Sequence, residues 1–164
     1  MKKFAAVFAG LVILSAVGAE NLLKTDFKQL DASGKNAGFQ IFRAEIKENS
    51  GSKSVVLDIA KKHFVTIPVV IESAGSYTFS GRCSGDADSI YAKLSVNGKI
   101  ITASCRQKYM KKSGSGDMIF DLNLSGVPAG NGYLFISARG SSGTIELKNV
   151  ELTFKKKTIQ TENK

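Results

Sequence analysis

The sequence predicts an all-β fold, a sandwich or barrel of short antiparallel strands, and three observations lead to it. Apolar and polar residues alternate in short runs along most of the chain. Glycine-marked turns separate those runs at near-regular intervals, and only two prolines occur in the whole sequence. After the first nineteen residues, no window holds an amphipathic helical period longer than about two turns.

The N-terminal segment reads as a signal peptide, not as part of the fold. Lys2 and Lys3 form a basic start, and Phe4 to Val17 is an apolar run interrupted only by Ser15 and a glycine. Val17-Gly18-Ala19 then offers the small residues that a signal peptidase reads, so cleavage is expected before Glu20. The run is shorter than the roughly 18 to 20 apolar residues of a membrane span, and no stable membrane insertion is expected after cleavage. The expected location is secreted or periplasmic. Residues 1–19 are then the leader, 20–157 a single domain, and 158–164 a frayed tail with one apolar side chain.

Within the domain, Val55 to Ile59 and Phe64 to Ile71 are apolar runs, the second rich in valine and isoleucine. Pro68 cannot donate to a ladder and is expected on an edge or at a bulge. Tyr77 to Ser80 alternates, as does Ala92 to Val96, and Asn97-Gly98 is the signature of a two-residue primed hairpin turn into Lys99 to Cys105. Met118 to Leu124, Tyr133 to Ala138 and Thr144 to Phe154 complete the set.

Removing the leader's two lysines lowers the formal charge from +9 to +7. Lysine clusters at Lys61-Lys62, Lys111-Lys112 and Lys155 to Lys157 read as a solvated basic surface, and export disfavours a nucleic-acid partner. Catalytic signatures are missing. The one histidine, His63, stands among lysines at the start of a strand, and neither cysteine belongs to a Cys-x-x-Cys pair. Asp86 and Asp88 fall in a turn, where aspartate bonds local backbone. The chain is read as non-catalytic.

Three segments carry a family resemblance: Asn21-Leu22-Leu23 with Asp26-Phe27 and Gly38-Phe39, then Gly75 to Gly81 (GSYTFSG), then Gly143 to Leu152 (GTIELKNVEL). In order and spacing they resemble the opening, the central strand and the closing strand of carbohydrate-binding modules with the galactose-binding-like jelly-roll fold. The chain differs from that pattern at Thr25, Lys28, Phe39 and Lys148, and it has no tryptophan. The resemblance implies a two-sheet antiparallel β-sandwich, and a carbohydrate or cell-envelope glycan as partner. It also implies one structural calcium ion near the termini, for which Glu20, Asp26, Asn149 and Glu151 occupy the matching positions.

The hairpin register sends Leu94, Val96, Ile101 and Ala103 to the core, and Tyr91, Lys93, Ser95, Thr102, Ser104 and Arg106 outward. On the preceding strand Tyr77 and Phe79 point in and Arg82 points out. A sugar platform of Arg82, Tyr91 and Arg106 is therefore expected, with Tyr109 just beyond it. Tyr133 and Arg139 join if Leu134, Ile136 and Ala138 are the core face of their strand. Aromatic rings suit this role because a pyranose presents an apolar C–H face to them. Cys83 and Cys105 both point inward by the same alternation, and an oxidising compartment makes a disulfide between them the expectation, provided their strands lie side by side or face to face. The alternative function is a structural or protein-interaction domain of the cell envelope with no sugar site.

Overall fold

The computed structural model describes residues 21–155, which form twelve β-strands and two single-turn 3-10 helices, with no α-helix among them. The predicted leader, Glu20 and the predicted tail lie outside the described residues. The strands are β1 (Asn21–Thr25), β2 (Ile41–Arg43), β3 (Glu45–Asn49), β4 (Ser52–Asp58), β5 (Phe64–Ile71) and β6 (Gly75–Gly85). They continue with β7 (Ser89–Val96), β8 (Lys99–Arg106), β9 (Lys111–Lys112), β10 (Met118–Val127), β11 (Gly130–Arg139) and β12 (Thr144–Lys155).

Two antiparallel sheets result. One has seven strands in the order β3-β4-β12-β6-β10-β9, with β1 also paired to β12; the other has five in the order β2-β5-β11-β7-β8. This is the expected two-sheet antiparallel sandwich. The barrel is set aside.

Alternation positions the side chains. On β7, Ile90, Ala92, Leu94 and Val96 are buried, while Ser89, Tyr91, Lys93 and Ser95 lie on the other side of the strand. Leu134 and Ile136 of β11 and Val65, Ile67, Val69 and Ile71 of β5 fill the same interior. Phe79, Phe120, Leu122, Leu124, Leu147 and Leu152 meet them from the seven-stranded sheet. Each fully buried side chain of this size stabilises by about 1.5–3 kcal/mol.

Asn97 (φ 47°) and Gly98 (φ 77°) both take the left-handed conformation of a primed turn. The turn sets the register, pairing Val96 with Lys99, Leu94 with Ile101 and Ala92 with Ala103 as predicted. Pro68 pairs with Tyr133 on one side, while β2 reaches only to Thr66, so the other side of β5 is an edge there. In the opening stretch, Asn-Leu-Leu becomes β1 and the Asp-Phe turn drives Phe27 into the core. The Phe27 ring stacks on Phe39 at 6.0 Å, and Phe39 meets Phe42 edge-on at 5.4 Å.

The expected disulfide is corrected. Both thiols point inward as alternation requires, but Cys83 lies on β6 of one sheet and Cys105 on β8 of the other, and both are free. The two strands do meet face to face across the interior, but each thiol is turned to a partner of its own. The Cys83 thiol donates to Met110 Sδ at 3.7 Å and that of Cys105 to the Arg106 carbonyl at 3.6 Å.

Candidate functional site

The outer face of the five-stranded sheet brings together most of the predicted residues. Cross-strand register arranges them in rows. One row runs Arg139, Ser89, Arg106; the next runs Arg43, Phe64, Ser137, Tyr91, Ser104. A third runs Ile41, Thr66, Phe135, Lys93, Thr102, and a fourth Pro68, Tyr133, Ser95, Ile100. Adjacent strands are about 4.8 Å apart, so neighbours within a row touch. Leu134 and Ile136 are buried and Ala138 packs on the core, which meets the condition for Tyr133 and Arg139 to join.

Four aromatic rings lie on this face. Phe64 and Phe135 stack with centroids 5.2 Å apart, and Tyr91 meets Phe135 edge-on at 6.4 Å. The Arg139 guanidinium lies 3.5 Å from the centroid of Tyr91, and the Lys93 ammonium 5.1 Å from that of Phe135. Those two rings are therefore capped by cations. Tyr133, 47% exposed, is not. Sequence reasoning missed Phe64 and Phe135, although the alternation that turned Tyr133 outward turns Phe135 outward too.

Arg82 does not belong to this face. It points outward from β6, on the opposite side of the sandwich from Tyr91. Tyr109 has left the sheet on the 3-10 turn Gln107–Tyr109, where it is 69% exposed beside the Lys108 ammonium at 4.9 Å. The predicted platform is thus divided between two faces and a turn, because outward orientation on a strand does not say which sheet the strand joins.

Arg82 instead lines a groove of about 740 Å³ on the seven-stranded sheet, with Lys24, Asp26, Lys28, Asp121, Asn149 and Glu151 around it. Three residues proposed for calcium are here, but they do not fit the ion. Asp26 is paired with Lys28 at 3.2 Å, and Asn149 Oδ1 accepts the Arg82 backbone N–H at 2.8 Å. Glu151 accepts from the Thr153 hydroxyl at 3.1 Å. The groove's three carboxylates, Asp26, Asp121 and Glu151, face three cations, Lys24, Lys28 and Arg82, on the same walls, which leaves no net negative charge for a calcium ion. Among the described residues no three His, Cys, Asp or Glu side chains converge. His63 Nδ1 lies 3.1 Å from the Val56 carbonyl, and Asp86 Oδ1 accepts the Thr144 N–H at 2.8 Å. Both side chains serve backbone groups.

No family profile matches the sequence, and no curated protein does. Among solved structures the fold is similar to the carbohydrate-binding module CBM6cm-2 of Cellvibrio mixtus lichenase 5A in complex with cellotriose. That match has 15% identity and a TM-score of 0.49, over 84% of this chain and 100% of that one. It is also similar to CsCBM6-3 from Clostridium stercorarium in complex with cellobiose, at 12% identity and a TM-score of 0.46, over 86% and 99%. A third similarity is to the mosquito-larvicidal toxin Cry4Aa of Bacillus thuringiensis, at 11% identity and a TM-score of 0.45; it covers 69% of this chain and 21% of the toxin. At such identities the likeness is one of fold.

Proposed function

We propose that the chain is an exported, non-catalytic carbohydrate-binding sandwich whose sugar-binding surface is the outer face of the five-stranded sheet. The observation that carries this reading is the set of rings Phe64, Phe135, Tyr91 and Tyr133 on an outward face, where alternation ordinarily leaves polar side chains. Tyr133 supplies the open ring for a pyranose C–H face, and Lys93, Ser95 and Thr66, each one or two positions away across the strands, supply hydroxyl partners. Calcium takes no part in this reading, given the donor set. Export rests on the leader-like residues 1–19, and N-terminal sequencing of the mature protein should begin at Glu20.

Titration calorimetry against soluble glycans is the test. Saturable heat is expected for the wild type, lost in Tyr133→Ala with an unchanged melting temperature. Absence of saturable heat across plant, algal and bacterial glycans would sink the reading.

A second reading is favoured by one observation. Ile41 (50% exposed), Val70 (61%) and Ile100 (61%) border the same rings, and apolar side chains of this kind suit a protein partner in the cell envelope. In that case Ile41→Ser with Val70→Ser abolishes capture of the partner, and no glycan gives saturable heat.

A further inference from the structure

The two sheets differ in charge as well as in aromatic content. The strands of the five-stranded sheet contain no aspartate or glutamate, yet they carry Arg43, Lys93, Lys99, Arg106 and Arg139. Those of the seven-stranded sheet carry Glu45, Glu48, Asp58, Asp121, Glu146 and Glu151. Carboxylates near the first sheet, such as Glu72 and Asp88, stand just beyond its strand ends.

Arg43, Lys93, Arg106 and Arg139 all lie on the outer face, and among the described residues none of them makes an ion pair. Arg139 and Arg106 flank Ser89 in one row, two strand spacings or roughly 10 Å apart. On the opposite sheet carboxylates stand among the cations, and Lys47 pairs with Glu146 and Lys53 with Glu48. Unneutralised like charges on one flat face create a positive potential that attracts an extended anion.

Resting on the glycan-binding reading above, we propose that this face takes an anionic polysaccharide, with acidic groups on the four cations and a sugar ring on Tyr133. The same charges with aromatic rings would also suit a single-stranded nucleic acid, but that ligand needs successive open ring faces for its bases. Here Arg139 covers Tyr91 and Lys93 covers Phe135, so the cations stand where bases would stack. A cation held over a ring presents its remaining N–H groups outward, the geometry for donating to carboxylate or sulfate oxygens.

The test titrates the protein with polygalacturonate, dextran sulfate, cellohexaose, oligo(dT) and phosphatidylglycerol vesicles. Polygalacturonate or dextran sulfate is expected to bind in preference to cellohexaose, and to weaken steeply between about 0.05 and 0.5 M salt. Arg43→Gln with Lys93→Gln should weaken the polyanion about tenfold or more while the melting temperature holds. Cellohexaose bound as well as the acidic chains, without salt dependence, overturns the proposal and leaves the glycan-binding reading standing. If neither neutral nor acidic glycans bind, both fall. Preferential binding of oligo(dT) or of the vesicles overturns the proposal in favour of those ligands.

Discussion

Tyr133 and Tyr91 stand two rows apart on the same face, but only Tyr133 has an open ring. Tyr91→Ala removes the partner of Arg139 and the edge contact to Phe135. It should therefore lower the melting temperature as well as binding, in contrast to Tyr133→Ala. At the thiols, burial pushes Cys83 up to about 11, with nearby Cys105 and Asp117 adding to it, and burial also raises Cys105. A thiol reagent near neutral pH should leave Cys83 unmodified in the native protein, and unreduced, denatured protein should titrate both. Loss of either thiol in the denatured titration would restore the disulfide. Glu146 opposes this pattern: burial acts to raise its pKa, but hydrogen bonds from Lys47 and Ser54, both at 2.8 Å, hold it below the usual 4.5. A depressed carboxylate contributes stability above its unfolded pKa and loses it as pH falls through the folded value. Urea midpoints of wild type and Glu146→Gln should thus differ at neutral pH and converge in acid.

Among the elements, β12 bulges between Leu147 and Asn149, and Gly81 of β6 lies against the bulge. A Cβ at Gly81 would come 2.3 Å from the Asn149 carbonyl and 2.9 Å from the Phe120 ring. Gly81→Ala is expected to destabilise by about 1–3 kcal/mol, read as a lower denaturant midpoint with an unchanged slope. The strands β7, β10, β11 and β12 were legible in the sequence because each buries one face, which writes a period of two into the residues, while β5 showed as an apolar run and β8 followed from the Asn97-Gly98 turn. β2 and β3 were not, since each hides a single half-buried position among exposed ones. The candidate site was legible only in part. Alternation gives in or out, which placed Tyr91, Arg106, Tyr133 and Arg139 correctly together. Sheet membership is set by pairing between distant segments, so alternation could neither send Arg82 to its own sheet nor show which partners the two inward thiols would take.

At the scale of the whole molecule, the sandwich separates two outer surfaces of different chemistry: cations and rings on one, mixed charges and a polar groove on the other. A chelator is expected to change little, and melting curves in calcium and in chelator should superimpose; a clear shift would show that Glu20 completes a site with Asp26 and Glu151. The architecture also has a temporal consequence. β12 is the last described strand to be synthesised, yet it is the one to which β1, β4 and β6 all bind. Until it emerges, three earlier strands have unmet edges and the larger sheet has no spine. Closure joins the first and last strands described, so refolding should be slow for the chain's size, in the range of about milliseconds to seconds typical of sandwiches. A chain stopped at Gly143 should remain unfolded and sticky, since nascent edges without a partner invite pairing between molecules. Synthesis order, and not only equilibrium stability, thus sets when this protein becomes safe from aggregation.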